Sequence, residues 1–128
     1  MMIPRTRCVM LKDWNELANG LSKMVGQVRG GVPEVMKGFS AMAKAATADG
    51  ALDGKTKELI ALALGIAARC DGCLAFHAKA VVDLGGTRDE VMETIAMSVY
   101  MGGGPSLMYG ALALEAYDQF AAKKQAAE

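Results

Sequence analysis

Glycine and proline cut this chain into helix-length segments, and no segment between the cuts shows the alternation of a strand. Asp13 is placed to cap a first helix, in which Trp14, Leu17, Leu21, Met24, Val25 and Val28 recur at helical spacing until Gly30-Gly31 stops it. Pro33 suits the first turn of a second helix, striped by Val35, Met36, Phe39, Met42, Ala43 and Ala46. Asp49-Gly50 and Asp53-Gly54 mark a turn, and Asp53 is the expected N-cap of a third helix running through Leu59 to Ala68. That stretch is apolar nearly all round, which predicts burial on every side. Asp71 is predicted to cap a fourth helix, ended by Gly85-Gly86. Thr87-Arg-Asp-Glu90 has the spacing of a capping box and opens a fifth helix to about Met101. Gly102-Gly-Gly-Pro105 breaks the chain again, and a sixth helix runs from Pro105 to about Ala122, leaving residues 123–128 as a frayed tail. The expectation is an all-α bundle of about six helices in a single domain, residues 1–128, with residues 1–10 as an irregular arm.

Composition narrows the function. Fourteen Lys and Arg residues balance fourteen Asp and Glu, so the total implies no basic face for nucleic acid or an anionic membrane. The N-terminus lacks the apolar core of a signal peptide, and the longest apolar run, Leu59 to Ala68, is about half of the ~20 residues that span a bilayer. A soluble, cytoplasmic protein is expected. Hydrophobic residues make up 52% of the chain and aromatics only 5%, so the apolar content is mostly Ala, Leu, Val and Met. So much apolar surface at zero net charge predicts burial between subunits, in a homo-oligomer closed by symmetry. Trp14 and Tyr109 suit that interface and the core equally. The methionines are read as packing, Met97, Met101 and Met108 included, ahead of a channel lining.

Two of the three cysteines and the only histidine lie within Cys70-Asp-Gly-Cys73-Leu-Ala-Phe-His77. A cytoplasmic Cys-x-x-Cys is more often catalytic or metal-binding than a structural bridge. With Asp71 as cap, Cys73 falls in the first helical turn, where free amides and the helix dipole stabilise a thiolate. His77, four residues on, shares its helical face and can exchange a proton with it. Cys70 is close enough to condense with an oxidised Cys73 into a disulfide. Cys8, in the arm, has no partner at hand and is left outside the site.

Glu58, eleven intervening residues, then Cys70, Cys73 and His77 resembles the pattern of the alkyl hydroperoxidase D-like branch of the carboxymuconolactone decarboxylase family. The likeness runs from about Leu52 to Tyr117 and includes Glu58-Leu-Ile-Ala-Leu-Ala, Gly85-Gly-Thr-Arg-Asp-Glu-Val-Met-Glu93 and Met101-Gly-Gly-Gly-Pro105. The resemblance implies an all-α fold assembled as trimers or hexamers. It also implies a thiol-dependent peroxidase acting on hydrogen peroxide or organic hydroperoxides. In that analogy Cys73 attacks the peroxide, Cys70 resolves the sulfenic acid, and Glu58 and His77 relay protons. An external dithiol, lipoyl-type or thioredoxin-like, would reopen the Cys70–Cys73 disulfide, and no separate cofactor is called for. The best-known redox members carry a second histidine between the cysteines, where this chain has Gly72.

Three other readings fit parts of the pattern. A general disulfide reductase or redox sensor follows from the missing histidine. Zinc could accept Cys70, Cys73, His77 and Glu58, but structural zinc sites usually draw on two separated ligand pairs, and the chain has one. A lactone decarboxylase is disfavoured because the decarboxylating members lack the cysteine pair. The placement of Glu58 stays open in the sequence. In a straight helix it lies ~18 Å from Cys70, whereas His77 is only ~6 Å beyond Cys73. A steep crossing, a folded-back bundle or a Glu58 from a neighbouring subunit would each close the gap.

Overall fold

A computed structural model describes residues 10–128, and within them the chain is all-helical. The helices are α1 (Trp14–Gly31), α2 (Pro33–Thr47), α3 (Gly54–Ala67), α4 (Asp71–Asp83), α5 (Arg88–Gly102) and α6 (Gly104–Ala127). The predicted class and the number of helices therefore hold for the described residues. Cys8 and most of the predicted arm lie outside them.

The second helix starts at Pro33 as expected, and three other starts carry the capping side chain that the sequence signals. Asp13 accepts from the Glu16 amide, Asp53 accepts from the Thr56 amide at 2.8 Å, and Thr87 with Glu90 forms the predicted capping box. The start of α4 differs. Its N-cap is Cys70, whose sulfur accepts from the Cys73 amide at 3.1 Å, and Asp71 is already helical. The cause lies at the end of α3. The Cys70 amide donates to the Gly65 carbonyl and the Arg69 amide to the Ile66 carbonyl, a Schellman closure that delivers Cys70 in extended conformation. Arg69 takes the left-handed position of that closure, φ 55°, which glycine usually fills. Glycine does fill it at the end of α4, where Gly85 has φ 79°. The sixth helix also outruns its predicted end. Ala, Lys and Gln propagate it to Ala127, and Lys124 Nζ donates to the Val82 carbonyl, tying the tail to α4.

The core is formed by α3–α6 and the first turns of α1. Leu62 and Ile66 of α3, Leu74 and Val81 of α4, Val91 of α5 and Trp14 of α1 are fully buried. Small residues let the helices approach closely. A Cβ on Gly65 would sit 2.9 Å from that of Cys73, and one on Gly110 would meet Ile95. Trp14, undecided in sequence, belongs to this core, and Tyr109 packs against its edge.

Two burial expectations fail. The third helix is not buried all round, since Leu64 is 65% exposed and Ile60 is also exposed. Its neighbours, α4, α5, α6 and the edge of α2, do not surround it within one chain, and its outer face stays open. Met97, Met101 and Met108 are exposed rather than packed, and the first two line a small cavity with Ala63, Leu64 and Ala67. The described residues contain no helix long and apolar enough to cross a membrane.

Candidate functional site

Cys70 and Cys73 are joined in a disulfide with a Cα–Cα distance of 5.2 Å. Cys70 is both the last residue of the α3 closure and the N-cap of α4, so its position is set by two helix ends at once. Cys73 lies in the first turn of α4, as its spacing predicted.

One turn further along α4, His77 Nδ1 is 2.6 Å from Glu58 Oε2 of the same chain. The gap foreseen between Glu58 and His77 closes without a second subunit. Residues 68–70 form a turn, so α4 folds back along α3 from Gly65 against Cys73 rather than from Cys70. Glu58 lies two turns before Gly65, ~10.5 Å, and His77 lies four residues after Cys73, ~6 Å in the same direction. The remaining ~4.5 Å is within the reach of the two side chains.

A carboxylate accepts only, so His77 donates its Nδ1 proton to Glu58 and leaves Nε2 as the free basic nitrogen. The Glu58 side chain is 12% exposed and that of His77 34%, so the carboxylate is the inner member and the imidazole the outer one. The four candidate residues are thus placed along the inner side of one helical hairpin.

The cysteines and His77 open on a cavity of about 660 Å³ between α1, α2 and α4. Its walls are mostly apolar, with Leu21 and Val25 from α1, Met36 and Phe39 from α2, and Phe76 from α4. Arg29, which also donates to Ser40 Oγ, is the one basic side chain on the α1 wall. Gly72 lines the cavity too, and a Cβ there would lie 3.1 Å from Leu21 Cδ1. A side chain at position 72 would therefore push the tip of Leu21 aside by a few tenths of an ångström. None of these α1 and α2 residues was marked as part of the site in sequence. Their helical stripes signalled only packing, and the stripe facing Cys73 was not distinguishable from one facing a core.

Asp71 carries a further contact that sequence spacing did not show, an ion pair with Lys12. Residues 11–14 are clamped to α6: the Leu11 and Lys12 amides and the Trp14 indole all donate to the Glu115 carboxylate. Burial opposes ionisation of Glu115, but these three donors outweigh it and hold its pKa below the ordinary carboxylate range. Among the described residues, no group of three or more His, Cys, Asp or Glu side chains is arranged to hold a metal ion.

Fold and site together define an all-helical protein with a Cys-x-x-Cys disulfide at a helix start and a Glu–His couple one turn below it. The chain belongs to the carboxymuconolactone decarboxylase family, whose profile matches residues 33–116 and so takes in α2 as well as the core helices. It is similar to a carboxymuconolactone decarboxylase family protein of Legionella pneumophila of known crystal structure, with 52% identity and a TM-score of 0.83 over 84% of this chain and 96% of that one. A Thermotoga maritima crystal structure shares 26% identity and a TM-score of 0.71, covering 88% of this chain and 96% of that chain. An uncharacterised protein of Cupriavidus necator is 36% identical over 109 residues, 85% of this chain and 96% of its own length.

Proposed function

We propose that the protein is a thiol-dependent peroxidase of the alkyl hydroperoxidase D-like branch, reducing hydrogen peroxide or organic hydroperoxides. The observation that carries this reading is the 2.6 Å contact between Glu58 and His77, one turn from Cys73 and beside the cavity that holds the disulfide. Glu58 orients the imidazole, and Nε2 is the nitrogen available to take the Cys73 thiol proton. The Cys73 thiolate attacks the terminal oxygen of ROOH. The O–O bond breaks, Cys73 becomes a sulfenic acid, and ROH leaves with a proton supplied by the imidazolium. The Cys70 thiol then displaces water from the sulfenic acid and closes the disulfide. An external dithiol, lipoyl-type or thioredoxin-like, returns two electrons and two protons and becomes a disulfide itself. The apolar walls formed by Val25, Met36 and Phe39 suit an organic hydroperoxide or the apolar arm of such a donor.

A cycle that needs re-reduction belongs in a reducing compartment, which supports a cytoplasmic location. The exposed apolar faces of α2 and α3 support a homo-oligomer, trimer or hexamer, in which they are covered. The helix-start geometry also fits a general disulfide reductase, because the Cys73 amide serves the Cys70 sulfur. Stopped-flow oxidation of reduced protein with thiol counting separates the two. A peroxidase loses two thiols per chain far faster than free cysteine does, and Cys73→Ser abolishes the reaction. A wild type no faster than free cysteine, yet able to exchange disulfides, would establish the reductase instead.

A further inference from the structure

Asp71 is the only charged side chain between the two cysteines, and its partner comes from 59 positions earlier in the chain. Lys12 is not a free surface lysine that happens to reach Asp71, because its backbone is held from both sides by α6. Its amide donates to Glu115 Oε1 at 2.9 Å, and its carbonyl accepts from Gln119 Nε2 at 2.7 Å. The flanking residues are held by the same two side chains. Leu11 donates to Glu115 Oε2 at 2.7 Å, and Trp14 donates from its amide to Gln119 Oε1 at 2.8 Å. The Lys12 ammonium also lies 5.7 Å from the centroid of the buried Trp14 ring. The clamp thus presents one cation to the segment that carries the redox pair.

We propose that Lys12 is a positioning residue for the Cys70–Cys73 couple, acting through Asp71 to set how readily the disulfide is reduced. The inference rests on Cys70 and Cys73 being redox-active and not on peroxide being their oxidant. Opening the disulfide takes two electrons and two protons from a dithiol or from two glutathione molecules, which leave as a disulfide. Part of the opened pair is thiolate, favoured by the start of α4. An unpaired Asp71 carboxylate beside it repels that thiolate and so favours the closed disulfide. Lys12 offsets this charge. The two halves of the ion pair act with opposite signs, so deleting each must move the couple in opposite directions. A merely structural contact has no such property, since losing either half breaks the same bond.

The test is equilibration of the full-length protein in glutathione buffers of defined ratio, with the oxidised fraction read by alkylation and mass. Lys12→Met is expected to shift the equilibrium constant at least threefold toward the disulfide. Asp71→Asn is expected to shift it at least threefold toward the dithiol. Each is about 14 mV for this two-electron couple. The double variant, and Lys12→Arg, are expected to stay within threefold of wild type. The clamp uses the backbone of Lys12, so both single variants should fold, and their thermal unfolding in each redox state is measured alongside. Single-variant shifts of the same sign, or smaller than threefold, overturn the proposal. A wild type whose disulfide does not equilibrate with glutathione overturns the redox reading of the site and this inference with it. Normal equilibration without peroxide reactivity overturns the peroxidase reading alone.

Discussion

The α1–α2 hairpin carries the clearer amphipathic stripes and the α3–α6 bundle the weaker ones, yet it is the bundle that is buried. Beyond the first turns of α1 the hairpin is open: α2 has no buried residue, and Phe39 is 57% exposed. In the bundle, Leu62, Ile66, Leu74 and Val91 are fully buried. The difference is one of partners. Each bundle helix packs on at least two others, while α2 touches only α1 and the edge of α3. Two helices joined by a tight turn cannot cover their own apolar faces. What they leave uncovered forms one wall of the cavity at Cys73 and, beyond it, an apolar surface that suits a second copy of the chain.

The sharpest test of this contrast is truncation on both sides of it. Leu74→Ala in the bundle is expected to cost about 2–5 kcal/mol in denaturant unfolding. Phe39→Ala, measured at protein concentrations low enough to dissociate any assembly, should cost much less. Equal costs would mean that the hairpin belongs to the monomer's core. The converse test is assembly. Phe39→Glu with Met42→Glu should lower the mass seen by light scattering and remove the concentration dependence of Tm, leaving a folded chain. An unchanged mass would free the hairpin from any role between copies.

A smaller effect is expected where α3 meets α4. Gly65→Ala places a Cβ 2.9 Å from that of Cys73 and should destabilise by about 1–3 kcal/mol. It should also slow thiol oxidation by parting the Glu58 and His77 helices. The clamp on residues 11–14 should show in acid. Glu115 has a folded pKa below its unfolded one, so its contribution is complete above the ordinary carboxylate range and is lost as pH falls through the lowered value. Glu115→Gln should therefore flatten that part of the stability curve, with no change in slope near neutrality. The smallest expected effect is a gain. Arg69→Gly relieves a left-handed backbone position and should stabilise by up to about 1 kcal/mol, matching the end of α3 to that of α4.

The helix boundaries were legible because caps, glycines and prolines act within a few residues of where they stand. The Thr87–Glu90 box and the Gly85 stop are of this kind. The Cys70 cap was not legible, because Asp71 is the better capping residue by type. Only the Schellman closure of α3, with an arginine in the place of a glycine, moves the start of α4 back to Cys70. The exposure of Leu64 was hidden for a different reason. Periodicity says which residues share a face, but not whether another helix reaches it.

At the site, sequence alone determined the local set: Cys73 and His77 fall one turn apart on a single helix with Cys70 just ahead of it, and the 3.6-residue repeat leaves little choice. Tertiary structure decided everything that depends on the return of the chain. It brought Glu58 onto His77 within one subunit, set Leu21 over Gly72, and carried Lys12 across from the N-terminal segment to Asp71. Such contacts depend on where neighbouring helices stop and how closely small residues let them pack, and residue spacing along the chain carries neither distance.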